Sequence, residues 1–408
     1  MSIRGRKSSQ NLIILFILVI NSMGQCGIDI YLPSVPDIIN DFACPPSLVQ
    51  LSLNIYLFTF AISQLIYGPL SDYHGRRPFT LIGILIFILG SLMCSVANNV
   101  YFFISGRIIQ GLGIGATSAN SRGIMRDVFE GHMLVKVSTY TIMFWAIIPI
   151  VAPIIGGYLK TFIGWKSTFV ALAIYGFIML ILSYFFLPET CASSRSHSMK
   201  LSAIFERYYS LLSNPIFMGF TFTCLFLFSI FSAFNSISPL LLQGNFELSS
   251  VTFGWTVSLI GSGYFLGSYI NSLLVRFFDP YKTLFVGFGI ALSLAFFISF
   301  LNVLHLLNVP LITIPLFFLY MGIGLTYPQC MAGALNANPK IAGTAGALFG
   351  TVVFTGSSII GTLATLIQKP AAFPFIVITV LLLAILIYVT SIVIQPKLKA
   401  RKIPLPNH

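Results

Sequence analysis

The sequence predicts an all-α polytopic membrane protein of twelve transmembrane helices, arranged as two six-helix halves. Three observations carry that prediction. Of 408 residues, 57% are hydrophobic and 8% charged, with a mean hydropathy of +0.93. A soluble domain carries about 25% charged residues, because its surface must be wet. Apolar stretches recur from end to end at the length of about 20 helical residues that a bilayer core of roughly 30 Å requires. One long polar stretch, 189–213, separates six of them from six others.

The first stretch runs near 11–31, behind Arg4, Arg6 and Lys7. A basic start before an apolar run imitates a signal peptide, but no small-residue cleavage site follows, so it reads as a retained helix. Stretches near 47–70, 79–97, 101–122, 137–159 and 165–187 complete a first half, residues 1–188. The central cytoplasmic loop 189–213 carries Glu189, Arg195, His197, Lys200, Glu206 and Arg207. The second half, 214–396, holds stretches near 214–240, 250–273, 283–305, 311–332, 342–367 and 373–394, and residues 397–408 form a basic tail. An even total with one central loop is what two fused six-helix repeats give.

Small residues fall where helices would pack closely. Gly263 with Gly267, and Gly346 with Gly350, form GxxxG steps that let backbones approach. Pro149, Pro153 and Gly157 recur every four residues on one face of the fifth helix. That face serves either plain packing or a bend used in conformational change.

The net charge of +12 would suit a nucleic-acid partner. It would equally follow from the bias of cytoplasmic loops toward Lys and Arg. Counting decides. With both termini inside, Lys160, Lys166 and Lys369 lie outside and Arg107 lies within the membrane, which leaves eighteen of the 22 cations inside. Topology accounts for the charge, and no nucleic acid is needed. The six cysteines include no CxxC pair, so neither a disulfide framework nor a metal site is indicated. No GxxxxGK[ST], HExxH or GxSxG pattern is present, so neither ATP hydrolysis nor common hydrolase chemistry is indicated, and the chain does not read as an enzyme.

Two charges stand out. Asp29, in GIDIYLP, sits at the outer end of the first stretch, and Arg107, in ISGRIIQGLGIG, is the basic residue well inside a span. Burying either costs at least a few kcal/mol, so each is expected to serve binding, coupling or pairing. Asp29 lies about 27 Å along the helix from Asn11, and Arg107 about 9 Å inward from Tyr101, which places both in the outer half. Asn21, Gln25 and Asp29 are spaced by four and share one face, which should border a cavity rather than lipid. Asp29 has two readings. It is a protonatable coupling site, where burial and a nearby Arg107 would pull its protonation in opposite directions, or a cap in the headgroup region. The loop GPLSDYHGRRP, Gly68 to Pro78, reads as a tight cytoplasmic turn. There Asp72, at a helix C-terminus, needs a cation such as Arg76 or Arg77 to offset the helix dipole.

GPLSDYHGRRP resembles the loop signature of the major facilitator superfamily, and SGRIIQGLGIGA resembles its fourth-helix motif. VAPIIGG, Val151 to Gly157, resembles the fifth-helix motif of drug/proton antiporters, with Ala152 where that motif usually has Gly. LPET at 187–190 is similar to the usual end of the sixth helix. DIYLPSVPDI and QLSLNIYLFTFAISQLIYGPLSD resemble the Bcr/CflA drug-resistance subfamily. The likeness is strong over about 25–190. Beyond it LLVRFFDPYKTL is a poor copy of the loop signature, and AGTAGALFG is again similar.

The resemblance implies the major facilitator fold and a proton-coupled antiporter that exports small amphiphilic drugs across a bacterial inner membrane. It implies a protein of the lipid bilayer with no cofactor and no metal, the proton being the coupling ion; the fold needs no partner, so a monomer is expected, with the oligomeric state open. The alternatives are export of an endogenous metabolite, such as a siderophore or amino-acid derivative, and a non-transporting membrane sensor. Residue by residue, Asp29 is similar to the coupling acid of such antiporters and Arg107 to their fourth-helix arginine. Asp72, Arg76 and Asp127, with Gly68, Gly75 and Arg77 of the same loop, match a latch that holds the two halves in the outward-facing state. Tyr73 replaces a commonly basic residue there. Pro153, Gly156 and Gly157 match the antiporter motif, which the family associates with limiting leak. The cavity should be walled by apolar and aromatic groups, for which 39 Phe and 17 Tyr are available. Asn21, Gln25, Asn54, Asn120, Asn235 and Tyr320 are its candidate polar contacts. Asn235 and Tyr320 could equally satisfy neighbouring backbone groups.

Overall fold

A computed structural model describes residues 7–191, 201–275, 277–278, 280–337, 342–367 and 373–394. Every expected apolar stretch folds into one long helix: α1 (Lys7–Asp29), α3 (Pro46–His74), α4 (Arg76–Ser95), α5 (Val100–Val128), α6 (Gly131–Ile163), α7 (Lys166–Phe186), α9 (Pro215–Ser238), α10 (Ser250–Leu274), α11 (Pro280–Val303), α12 (Val309–Asn336), α13 (Ala342–Leu366) and α14 (Phe373–Tyr388). Several of them start where the chain supplies a capping side-chain oxygen. Asn99 accepts the Phe102 amide at 2.9 Å, Asn214 those of Ile216 and Phe217 at 3.0 and 3.2 Å, and Asn308 that of Leu311 at 2.9 Å. Each satisfies an amide that the first helical turn leaves without an internal partner.

Among the described residues, ten stretches are long and apolar enough to cross a membrane, and α5 and α10 are not among them. Both are long helices of 29 and 25 residues, rich in Gly, Ser and amides. Their neighbours explain the composition. α5 packs on α3 and α4, and α10 on α6 and α12, so protein rather than lipid covers their polar atoms.

Two short helices add to the twelve. After a 3₁₀ turn at Leu32–Ser34, α2 (Val35–Phe42) lies at the end of the bundle. An Asp37–Lys160 ion pair of 3.1 Å and a 2.5 Å bond from the Trp165 indole to Asp41 pin it there. The stretch expected as a central loop contains α8 (Leu201–Leu212), which buries Leu211, exposes Tyr209 and packs on α9 and α13. Arg4, Arg6, Arg195, His197, Lys200, Arg276, Lys340, Lys369 and the tail 397–408 lie outside the described residues.

The first six long helices pack mainly with one another, as do the last six. Two reciprocal pairs join the groups: α3 with α13, and α6 with α10. The α6–α10 pair uses the repeating Pro149, Pro153 and Gly157 face. Pro149 faces Gly261. A Cβ on Gly254 would lie 2.5 Å from the Pro153 carbonyl oxygen, and one on Gly157 2.6 Å from that of Ser250. Of the two readings of that face, close packing is the one that has contacts, and those contacts run between the halves. Gly263 and Gly267 likewise press on the α12 carbonyls of Phe317 and Met321, whereas Gly346 and Gly350 meet no other backbone within 4 Å.

Candidate functional site

The Asn21, Gln25 and Asp29 face of α1 turns toward the second half at its Asp29 end. Asp29 is 2% exposed. Gln25 Nε2 donates to Asp29 Oδ2 at 2.7 Å, and Asn235 Nδ2, on α9, donates to Oδ1 at 3.3 Å. Each carboxylate oxygen is therefore held by an amide, one from either half of the chain. Gln25 and Asn235 border a small, largely enclosed cavity of ≈ 30 Å³, walled by Trp145, Phe228, Phe231 and Tyr327 among others. That space holds one or two waters, so a drug-sized solute requires the halves to part. The Gln25 Oε1 acceptor is buried without a hydrogen-bond partner. Asp29 lies one hydrogen bond behind the cavity wall.

Arg107 is 0% exposed and, among the described residues, forms no ion pair with Asp29. Its Nη1 donates to the Gly27 carbonyl at 3.0 Å and to Gln110 Oε1 at 2.5 Å. Gln110 is fixed in turn by its own 2.8 Å bond to Ser91 Oγ. The guanidinium lies 4.6, 4.3 and 5.9 Å from the ring centres of Tyr31, Tyr56 and Phe169. Aromatic faces stabilise the charge in place of a carboxylate. Arg107 is thus partnered by an aromatic cage, one member of which, Tyr31, lies two residues along from the acid.

The other predicted polar contacts separate. Asn54 joins the halves: it donates to Ser236 Oγ at 3.3 Å and accepts from Ser232 Oγ at 3.1 Å. Gln50 adds a 2.8 Å bond to the Ser236 carbonyl. Tyr320 is buried against Phe231 and Phe234, with its hydroxyl unpartnered. Asn21 accepts from Ser121 at 3.3 Å, toward the Arg76 end. Asn120 turns away from the cavity and donates to the Arg76 carbonyl and Thr80 Oγ1 at 3.2 and 3.1 Å. Arg122, counted among the inner cations, lies six residues before the end of α5 and bonds Gln64 and Ser118.

The loop signature builds a charge cluster. Arg76, 2% exposed, pairs with Asp72 and, through Nε at 3.1 Å, with Asp127. Its Nη1 donates to Ser71 Oγ at 2.8 Å. All these residues belong to the first half. Tyr73 is exposed and stacks edge-on against His74. Sequence reasoning missed the role of Glu189, which follows α7. Its carboxylate accepts the amides of Arg76 and Arg77 at 2.8 and 3.2 Å and so caps α4 from 113 residues away. Glycine is required at position 75, where φ is +103° and a Cβ would meet that carboxylate. Gly68 has open space around it. Burial and the neighbouring Asp72 carboxylate push the Tyr208 phenol of α8 up, which places α8 beside the cluster. In the antiporter motif, Pro153 and Gly157 sit on the α10 seam, while a Cβ on Gly156 would collide with the Ile30 carbonyl just after α1.

Comparison with known proteins gives the same frame. The family profile of the Major Facilitator Superfamily matches residues 14–362. The Bicyclomycin resistance protein homolog of Haemophilus influenzae is 29% identical over 381 residues, covering 91% of this chain and 93% of that protein. Multidrug resistance protein D of Escherichia coli is 28% identical over 365 residues, covering 89% and 91%. A D-xylose-proton symporter crystal structure superposes with a TM-score of 0.76 at 16% identity, covering 93% of this chain and 97% of that one, which shows the fold.

Proposed function

This chain belongs to the Major Facilitator Superfamily, and from that footing we propose that it is a proton-coupled antiporter of the Bcr/CflA type. In this reading it exports small amphiphilic drugs across a bacterial inner membrane. The resistance names of its relatives support the direction and the substrate class. The observation that carries the coupling is the Asp29 carboxylate, buried in the span and held by one amide from each half.

The excess of cations around Arg76 and Arg126 orients that end of the bundle to the cytoplasm, with both termini inside and Asp29 toward the outer face. The two halves rock about the α3–α13 and α6–α10 seams. A drug entering from the inside parts the cytoplasmic end of the seam and reaches the aromatic wall. A proton taken up from outside by Asp29 drives the return. One charge crossing 100 mV is worth about 2.3 kcal/mol, enough for one proton per cycle to sustain a substantial gradient. The Arg76 cluster serves as the latch of the cytoplasmic end, and the protein acts as a monomer.

Everted membrane vesicles with an imposed pH gradient test this. Adding an exported amphiphilic drug should collapse the gradient in wild type and leave it intact with Asp29→Asn. If Asp29→Asn responds as wild type does, Asp29 does not carry the proton.

A further inference from the structure

Asp29 and Asn235 are 206 positions apart and lie on the two halves, yet they share a hydrogen bond at the cavity wall. Around it, Ser232 and Ser236 bond to Asn54, and Ser236 to Gln50. Ser232, Asn235 and Ser236 fall at i, i+3 and i+4 on α9, so one helical face carries these contacts. Within that seam, the Asn235–Asp29 bond is the one whose strength depends on a charge. A donor bonded to an ionised carboxylate is held about twice as strongly as one bonded to a neutral acceptor. Protonation of Asp29 removes that advantage.

We propose that Asn235 is a positioning residue that clamps the second half onto deprotonated Asp29 and keeps the unloaded carrier from reorienting. The inference depends on the reading of Asp29 as the coupling acid. Two events open the clamp. One is a substrate entering the cavity that Asn235 lines. The other is a proton from the outer water adding to an Asp29 oxygen, which leaves again to the inner water with no other covalent bond made or broken. A carrier that is neither loaded nor protonated stays shut, so protons do not cross without exchange.

The groups around Asp29 favour this assignment. They are Cys26 and Tyr31 on its own stretch, Tyr56 on α3, Arg107 on α5 and Tyr320 on α12. None is a carboxylate or an imidazole, and Arg107 is committed to Gly27, Gln110 and its aromatic cage. Asp29 is therefore the group that changes charge in this neighbourhood, and among the described residues Asn235 is the one of the second half that hydrogen-bonds to it.

The test needs no identified substrate. Full-length protein is reconstituted in phosphatidylethanolamine–phosphatidylglycerol vesicles containing a pH-sensitive dye, and proton entry down an imposed gradient is followed with no drug present. Asn235→Leu and Asn235→Ala should each leak on the order of tenfold faster than wild type, the worth of one hydrogen bond to a charged group. Asn235→Gln, which keeps a donor amide, should stay close to wild type. The leak should vanish in the Asp29→Asn/Asn235→Leu double variant. Proton-tight Leu and Ala variants would overturn the clamp, as would a leak that survives in the double variant. Substrate-driven proton movement retained by Asp29→Asn alone would instead overturn the underlying reading of Asp29.

Discussion

The Arg107 guanidinium sits 4.3 Å from the ring centre of Tyr56, on the inner side of a cage that Tyr31 and Phe169 complete. Tyr56 is itself fixed by a 2.8 Å bond from its hydroxyl to the Gly24 carbonyl. The cation thus holds α1, α3 and α5 together beside Asp29 without neutralising it. Arg107→Lys keeps the charge but not the planar, face-stacking group. Drug transport by this variant should fall on the order of tenfold, the worth of one or two stacked faces, with normal expression. Transport assays at matched membrane levels check this, and an Arg107→Lys protein as active as wild type would remove the cage from the mechanism.

Tyr56 can be probed separately. Tyr56→Phe deletes the bond to Gly24 and keeps the ring, so it should cost about 1 kcal/mol of stability. Tyr56→Leu also removes the stacked face and should cost a further 1–2 kcal/mol. Thermal unfolding in detergent ranks the two, and the prediction fails if they are equally stable.

Glu189 caps α4 at the cytoplasmic cluster. Glu189→Gln keeps one of the two acceptor oxygens, sets an NH2 against the other amide and loses the charge at the helix N-terminus, for an expected loss of about 1 kcal/mol. Gly75→Ala should cost more, about 1–3 kcal/mol, because a residue with a Cβ must adopt the left-handed backbone and displace the Glu189 carboxylate. The same unfolding measurement orders them.

At the α6–α10 seam, Gly254→Leu places a side chain against the Pro153 carbonyl, where a bare Cβ already lies at 2.5 Å. The halves should then be unable to close there. Spin labels at the exposed Tyr158 and Trp255 should report a longer separation than in the parent protein. An unchanged distance would show that the seam tolerates the side chain.

Much of this arrangement was legible in the sequence, and the rest was hidden for identifiable reasons. Hydropathy located all twelve long helices, including α5 and α10, because length and flanking turns marked them even where glycine and amides diluted the apolar signal. Asp29 and Arg107 stood out because a charge inside a span is costly. The partners of Arg107 did not, because an aromatic cage of Tyr31, Tyr56 and Phe169 draws on the turn after α1 and on α3 and α7, and leaves no local pattern. Asn120 was expected at the cavity, but one polar residue does not fix the rotation of a helix that is buried on nearly every side. Glu189 was invisible as a cap because its amide partners lie 113 positions away, beyond the reach of any short-range capping rule. Helix α8 was hidden by the polar composition of the stretch around it, although its Leu211 and Tyr209 face opposite environments.

The central claim is that drug export runs on a proton carried by Asp29. The most direct measurement is a drug-susceptibility panel in an efflux-deficient bacterium that expresses wild type or Asp29→Asn at matched membrane levels. Wild type should raise resistance to at least one amphiphilic antibiotic of the panel, and Asp29→Asn should abolish that protection. Equal protection by both proteins would contradict the claim.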